Sequence, residues 1–111
     1  MEMTREQLAG GVVKITLAGS FDVGGAGDVD ARFTEIGEND RKVIVDLGNV
    51  TFLASIGVHI LVRTAKAIND HGGQMVVLSP NTASSKVLHA TGVDTIIAIA
   101  GSEADALARF S

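Results

Sequence analysis

At 111 residues, with 46% hydrophobic and 20% charged residues, the chain has the composition of one globular domain spanning residues 1–111 and excludes a disordered polypeptide. It has no cysteine, which removes disulfides, thiolate metal sites and thiol nucleophiles and fits a reducing, cytoplasmic setting. A net charge of −4, scattered basic residues and four phenylalanines with no Trp or Tyr speak against nucleic-acid binding.

The N-terminal stretch carries Glu2, Arg5 and Glu6 and so has no signal-peptide apolar region. Met3 to Leu8 reads as an edge strand, joined by Gly10-Gly11 to the alternating, β-branched strand Val12 to Leu17. The glycine-rich run Val23 to Gly27 reads as a flexible turn into a helix over Asp28 to Ile36. Lys42 to Leu47 is a near-continuous apolar run, the pattern of a strand covered on both faces. From Ser55 to about His71 the helical count places Gly57, Ile60, Leu61, Thr64 and Ile68 in one stripe, with Gly72-Gly73 as the stop. Gln74 to Leu78 is a strand, Thr82 to Ala90 a short helix, Thr95 to Ala100 a weaker strand, and Glu103 to Phe110 a helix capped by Ser102. The apolar stretch Ile96 to Ala100 is too short to span or insert into a bilayer. This alternation predicts an α/β fold: a mixed, largely parallel sheet with about four helices packed on it.

No catalytic constellation emerges. Gly24-Gly25-Ala26-Gly27 lacks the Gly-Lys-Ser/Thr of a phosphate loop and the spacing of a dinucleotide loop. His59, His71 and His89 do not stand at ligand spacing from one another or from a carboxylate, so neither a metal nor another cofactor is expected. Asp22, Asp46 and Lys86 fail as a phosphoryl-accepting triad, because Asp22 stands alone after its strand and Lys86 lies on a helix rather than a strand. The chain reads as a non-enzyme.

The informative segment runs from Val43 to Ile60: an apolar strand ending in Asp46, a loop past Phe52-Leu53, and Ser55 opening the long helix. Here the sequence resembles the STAS domain, shared by anti-sigma factor antagonists and the cytoplasmic tails of sulfate-type anion transporters. Gly19-Ser20-Phe21-Asp22, Gly72-Gly73 with the strand after it, and Val87 to Val93 resemble further blocks of the family in the same order. The resemblance implies a protein-binding switch whose partner is an anti-sigma factor and serine kinase of the ATP-binding type, which phosphorylates a hydroxyl at this helix start. The acceptor position of the family lies directly before the glycine, where this chain has Ile56, and the family's acidic position is Ala54. Ser55 is the only hydroxyl in the turn, so it is the candidate phosphoacceptor; the alternative role is a plain N-cap worth about 1 kcal/mol.

Ile56, Val58 and Val62 read as apolar residues off the core stripe and, with Gly57 and with Asp22 in its turn, form the expected partner-binding edge. On that reading Val58→Glu and Val62→Glu weaken partner binding and leave folding intact. Asp22 meets a basic partner group or caps its turn. Two other functions stay open: an accessory subunit of a membrane transport system, docking on the transporter's ATPase, and a nucleotide-binding module using the glycine run near Asp22. The oligomeric state also stays open, a homodimer included.

Overall fold

The computed structural model describes residues 1–110. β1 (Glu2–Gln7) turns through Ala9–Gly11 into β2 (Val13–Phe21), and the two pair antiparallel, from Glu2 opposite Ala18 to Gln7 opposite Val13. α1 (Val23–Asn39), β3 (Lys42–Leu53), α2 (Ser55–Asp70), β4 (Gln74–Leu78), α3 (Thr82–Ala90), β5 (Ala98–Ala100) and α4 (Glu103–Ala108) follow. The sheet order is β1-β2-β3-β4-β5, and β2 to β5 run parallel. Parallel neighbours need a crossover, which is what α1, α2 and α3 supply. The expected α/β architecture is the one observed.

Period-two alternation divides the strands between two cores. Val13, Ile15, Leu17 and Phe21 of β2 join Val43, Val45 and Leu47 of β3 and Met75 and Val77 of β4 in the larger one, together with Val29 and Phe33 of α1, Leu61 and Ile68 of α2 and Leu88 of α3. Phe21 and Phe33 stack there with ring centroids 6.3 Å apart. On the opposite face Ile44, Val76, Leu78 and Ala100 lie in a smaller cluster with Ala106, Leu107 and Phe110. Burial on both faces explains why β3 and β4 read as unbroken apolar runs. Lys14 links the sheet to α4 through Glu103 at 2.7 Å. Exposed pairs of this kind contribute at most about 1 kcal/mol, so apolar packing is what seats α4.

Besides β2, which continues past Leu17 to Phe21, three elements differ from the sequence reading. α1 begins at Val23, so the glycine-rich run is the first helical turns rather than a flexible loop. β3 continues six residues past Leu47, to Leu53, because its far end pairs with the end of β2, Ser20 against Phe52 and Phe21 against Leu53. The register slips between Thr16 and Ala18, where Asp46 Oδ1 accepts from Gly48 N at 2.8 Å and closes the local bend in β3. β5 is only Ala98–Ala100, since Val93–Thr95 winds into a tight helical turn before it.

Candidate functional site

β2 and β3 are parallel neighbours, so the residues following them emerge side by side at one edge of the sheet. In open α/β sheets this carboxyl-terminal edge is where binding groups collect. β2 delivers Asp22 there and β3 delivers Ala54 and Ser55, joined by Ala54 N donating to Phe21 O at 3.0 Å.

Asp22 is the N-cap of α1. Its Oδ1 accepts from Gly25 N at 2.9 Å and its Oδ2 from Ser20 Oγ at 3.0 Å. The Gly25 N–H first, and the Ser20 hydroxyl next, hold the Asp22 carboxyl below the usual carboxylate range. Gly25 allows this close seating: a Cβ there would lie 2.1 Å from Ser20 O. The capping alternative is therefore met by geometry.

α2 opens differently. Its N-cap is Ala54, which has no side-chain acceptor, and Ser55 is the first helical residue. The expectation that Ser55 serves as the cap is thus corrected: β3 runs through Leu53 and leaves Ala54 as the residue in extended conformation. Ser55 is exposed. No hydrogen bond engages its hydroxyl among the described residues.

The expected partner-binding residues separate. Ile56 is 37% exposed, at the edge. Val58 is only 7% exposed and belongs to the larger core, as does buried Gly57, whose Cβ position lies 2.8 Å from Phe21 Cγ. Val62 is half-buried and packs on the same core. The proposed edge therefore loses Gly57 and Val58, and Val62 presents only part of its surface. The reason is that α2 buries a wider face than the stripe read from the helical count; Val58 and Ala65, on its margin, join the cluster that holds Met75 and Val77 of β4.

Two residues missed by sequence reasoning take their place. Val23, 79% exposed at the start of α1, and Phe52, 54% exposed near the end of β3, emerge at the same edge as Ile56. The remaining large exposed apolar residue, Ile96, precedes β5 and so lies toward the opposite end of the sheet. Exposed apolar side chains are ordinary one by one; Val23, Phe52 and Ile56 stand at the same end of the sheet as Ser55, whose hydroxyl is unengaged among the described residues. Phe52 carried a readable signal, as an aromatic outside the apolar run before it; Val23 carried none, because its exposure follows from α1 starting early.

Among the described residues no three His, Cys, Asp or Glu side chains group to hold a metal ion. Asp46 and Lys86 do not join the edge, since Asp46 is bound to Gly48 N and Lys86 is exposed on α3. No helix is long and apolar enough to cross a membrane among the described residues.

Comparison with known proteins agrees with this geometry. The family model of the STAS domain matches residues 5–106. The anti-sigma-F factor antagonist RsfB of Mycobacterium tuberculosis is 28% identical over 101 residues, covering 87% of this chain and 80% of RsfB. An anti-sigma factor antagonist from Mycobacterium paratuberculosis superposes with a TM-score of 0.86 at 24% identity, over 97% of this chain and 92% of that one. Bacillus SpoIIAA in its phosphorylated form superposes with a TM-score of 0.75 at 20% identity, over 99% of this chain and all (100%) of that one. With the family pattern matched over nearly its whole length and this fold beneath it, the chain belongs to the STAS domain family, in the likeness of the anti-sigma factor antagonists.

Proposed function

We propose that this protein is a regulatory binding module that docks on an anti-sigma factor with ATP-dependent serine kinase activity, through the edge formed by Asp22, Val23, Phe52 and Ile56 around Ser55. The observation that carries the reading is that three exposed apolar side chains stand at the same end of the sheet as a hydroxyl that caps nothing. Val62 contributes at the margin through its exposed portion.

Ser55 is the proposed phosphoacceptor. A phosphoryl group brings about −1.5 to −2 charges. On the first residue of α2 it would lie beside N–H groups of a helix start that no side chain caps, so the helix can hold it without unfolding. The same charge amid Val23, Phe52 and Ile56 makes an apolar contact with a partner unfavourable, so modification releases the partner and leaves the fold intact. With Ile56 directly before Gly57, the acceptor stands one residue earlier than in the family pattern, and the partner's active site must reach that shifted hydroxyl. The anti-sigma factor antagonists RsfB and SpoIIAA, the latter known in a phosphorylated form, support this reading over a transport accessory. The glycine run on which the nucleotide-binding alternative rests forms the first helical turns of α1.

The test is co-purification from the native host with intact-mass measurement of the chain. The expected result is a bound kinase with the unmodified chain, and a chain heavier by one phosphoryl group, absent in Ser55→Ala, when the partner is released. A transporter ATPase as the bound protein, or a modification that persists in Ser55→Ala, refutes the assignment.

A further inference from the structure

At the opposite end of the sheet the chain carries a second feature with separate chemistry. Arg41 and Lys42 at the start of β3, Gln74 at the start of β4, the Gly72–Gly73 turn and Arg109–Phe110 after α4 line a cleft of about 280 Å³. Its lining contains three cationic side chains and no carboxylate. Among the described residues no carboxylate lies within 4.0 Å of Arg41, Lys42 or Arg109, as is also true of Arg32, Lys66 and Lys86, whereas Arg5, Lys14 and Arg63 each have one. Lys42 Nζ donates to Gly10 O at 3.2 Å, which leaves its charge uncompensated.

A structural explanation is partly available, because α2 and α4 both end here and helix C-termini attract cations. Each terminus amounts to about half a negative charge, so the two offset about one of the three positive charges. About two remain. A phosphate monoester carries about −1.5 to −2 at neutral pH, and guanidinium groups bind its oxygens through paired, charge-assisted hydrogen bonds. The volume lies just below the range of about 300–1,000 Å³ typical of small-molecule pockets, which suits a compact ligand. Half-buried Phe110 supplies an apolar wall beside the charges.

We infer that the cleft bounded by Arg41, Lys42, Arg109 and Phe110 is an anion site for a small phosphate monoester with an apolar body. It stands apart from the docking edge by the length of β3, on the order of 30 Å.

The experiment is titration of the isotope-labelled full chain with phenyl phosphate, followed through backbone amide resonances, which also report that each variant is folded. Saturable shifts are expected at Gly72, Gly73, Gln74 and Arg109, weakening with added salt and as pH falls from about 7.5 to about 5, where the dianion gains a proton. Arg41→Gln combined with Arg109→Gln should weaken binding at least about tenfold, since two charge-assisted contacts are lost. Lys86→Gln, on exposed α3, should leave it unchanged. No saturable shift by about 10 mM, a weakness beyond any useful site, overturns the proposal; so do shifts centred on Ser55 or equal weakening by Lys86→Gln.

Discussion

Alanine at three glycines of the first turns of α1 should change stability in opposite directions. Gly27 has nothing within 4 Å of its Cβ position, and Gly24 meets only Asp22 Oδ1 at 3.6 Å, an ordinary contact. At Gly25 a Cβ would stand 2.1 Å from Ser20 O and 3.2 Å from Ser20 C, both backbone atoms. Relative to glycine, alanine favours a helix interior by about 1 kcal/mol. Gly27→Ala should gain about that much, and Gly24→Ala somewhat less because it lies in the first turn. At Gly25 the new methyl must push α1 away from β2 by roughly 1 Å, and overpacking against an unyielding neighbour costs about 3 kcal/mol. The propensity gain offsets about a third of this, for a net loss of about 2 kcal/mol. In a domain of this length that lowers Tm by about 8 °C, whereas Gly27→Ala raises it by about 4 °C. Urea unfolding followed by far-UV circular dichroism, with thermal melts beside it, measures both; unchanged m-values would confirm that the native state remains compact. A Gly25→Ala protein as stable as the parent, or three substitutions shifting stability alike, would refute the seating of α1 on the end of β2. It would restore the flexible-loop reading of the glycine run.

Four further variants test the burial of α2 and the site. Val58→Ala should lose about 2 kcal/mol in urea unfolding, because a core side chain is shortened, and Val58→Glu should fail to fold; Ile56→Glu should match the parent in stability yet lose the kinase partner in a pull-down. A soluble, folded Val58→Glu chain would contradict the burial of that residue. Asp22 is held below the usual carboxylate range by the Gly25 N–H and, next, the Ser20 hydroxyl. A folded pKa below the unfolded one means that the stabilisation is fully present above the unfolded value and is lost as pH falls through the folded one. Asp22→Asn keeps an acceptor for Gly25 N but does not titrate there, so it should flatten the decline of the urea midpoint below about pH 4. A decline as steep as the parent's would show that Asp22 does not contribute to it.

Much of the architecture is legible in local chemistry. The Gly-Gly hairpin, the apolar runs of β3 and β4, and the span Thr82–Ala90 of α3 follow from alternation, periodicity and punctuation that each segment carries within itself. Gly57, Ile60, Leu61, Thr64 and Ile68, the stripe counted on α2, are all buried. The family blocks around Val43 to Ile60 were legible for the same reason, since they are contiguous residues.

The docking edge was read less well, because exposure depends on what packs alongside. Ser55 and Ile56 kept their place at the surface, yet Val58 passed into the core, and Val23 and Phe52, read only as parts of a turn and a loop, proved to be exposed. A helical count knows the angle of Val58 around α2 but not how far the sheet wraps that flank. Likewise nothing within Val23 to Gly27 reveals that Gly25 will rest on Ser20 O, a contact that converts an apparent loop into helix. Sequence alone determined the order and kind of the elements, because hydrogen bonding and side-chain periodicity act within a few residues. Only the tertiary structure decided which apolar side chains stay exposed at that edge, because this depends on where β2 and β3, separated by the whole of α1, come to end side by side.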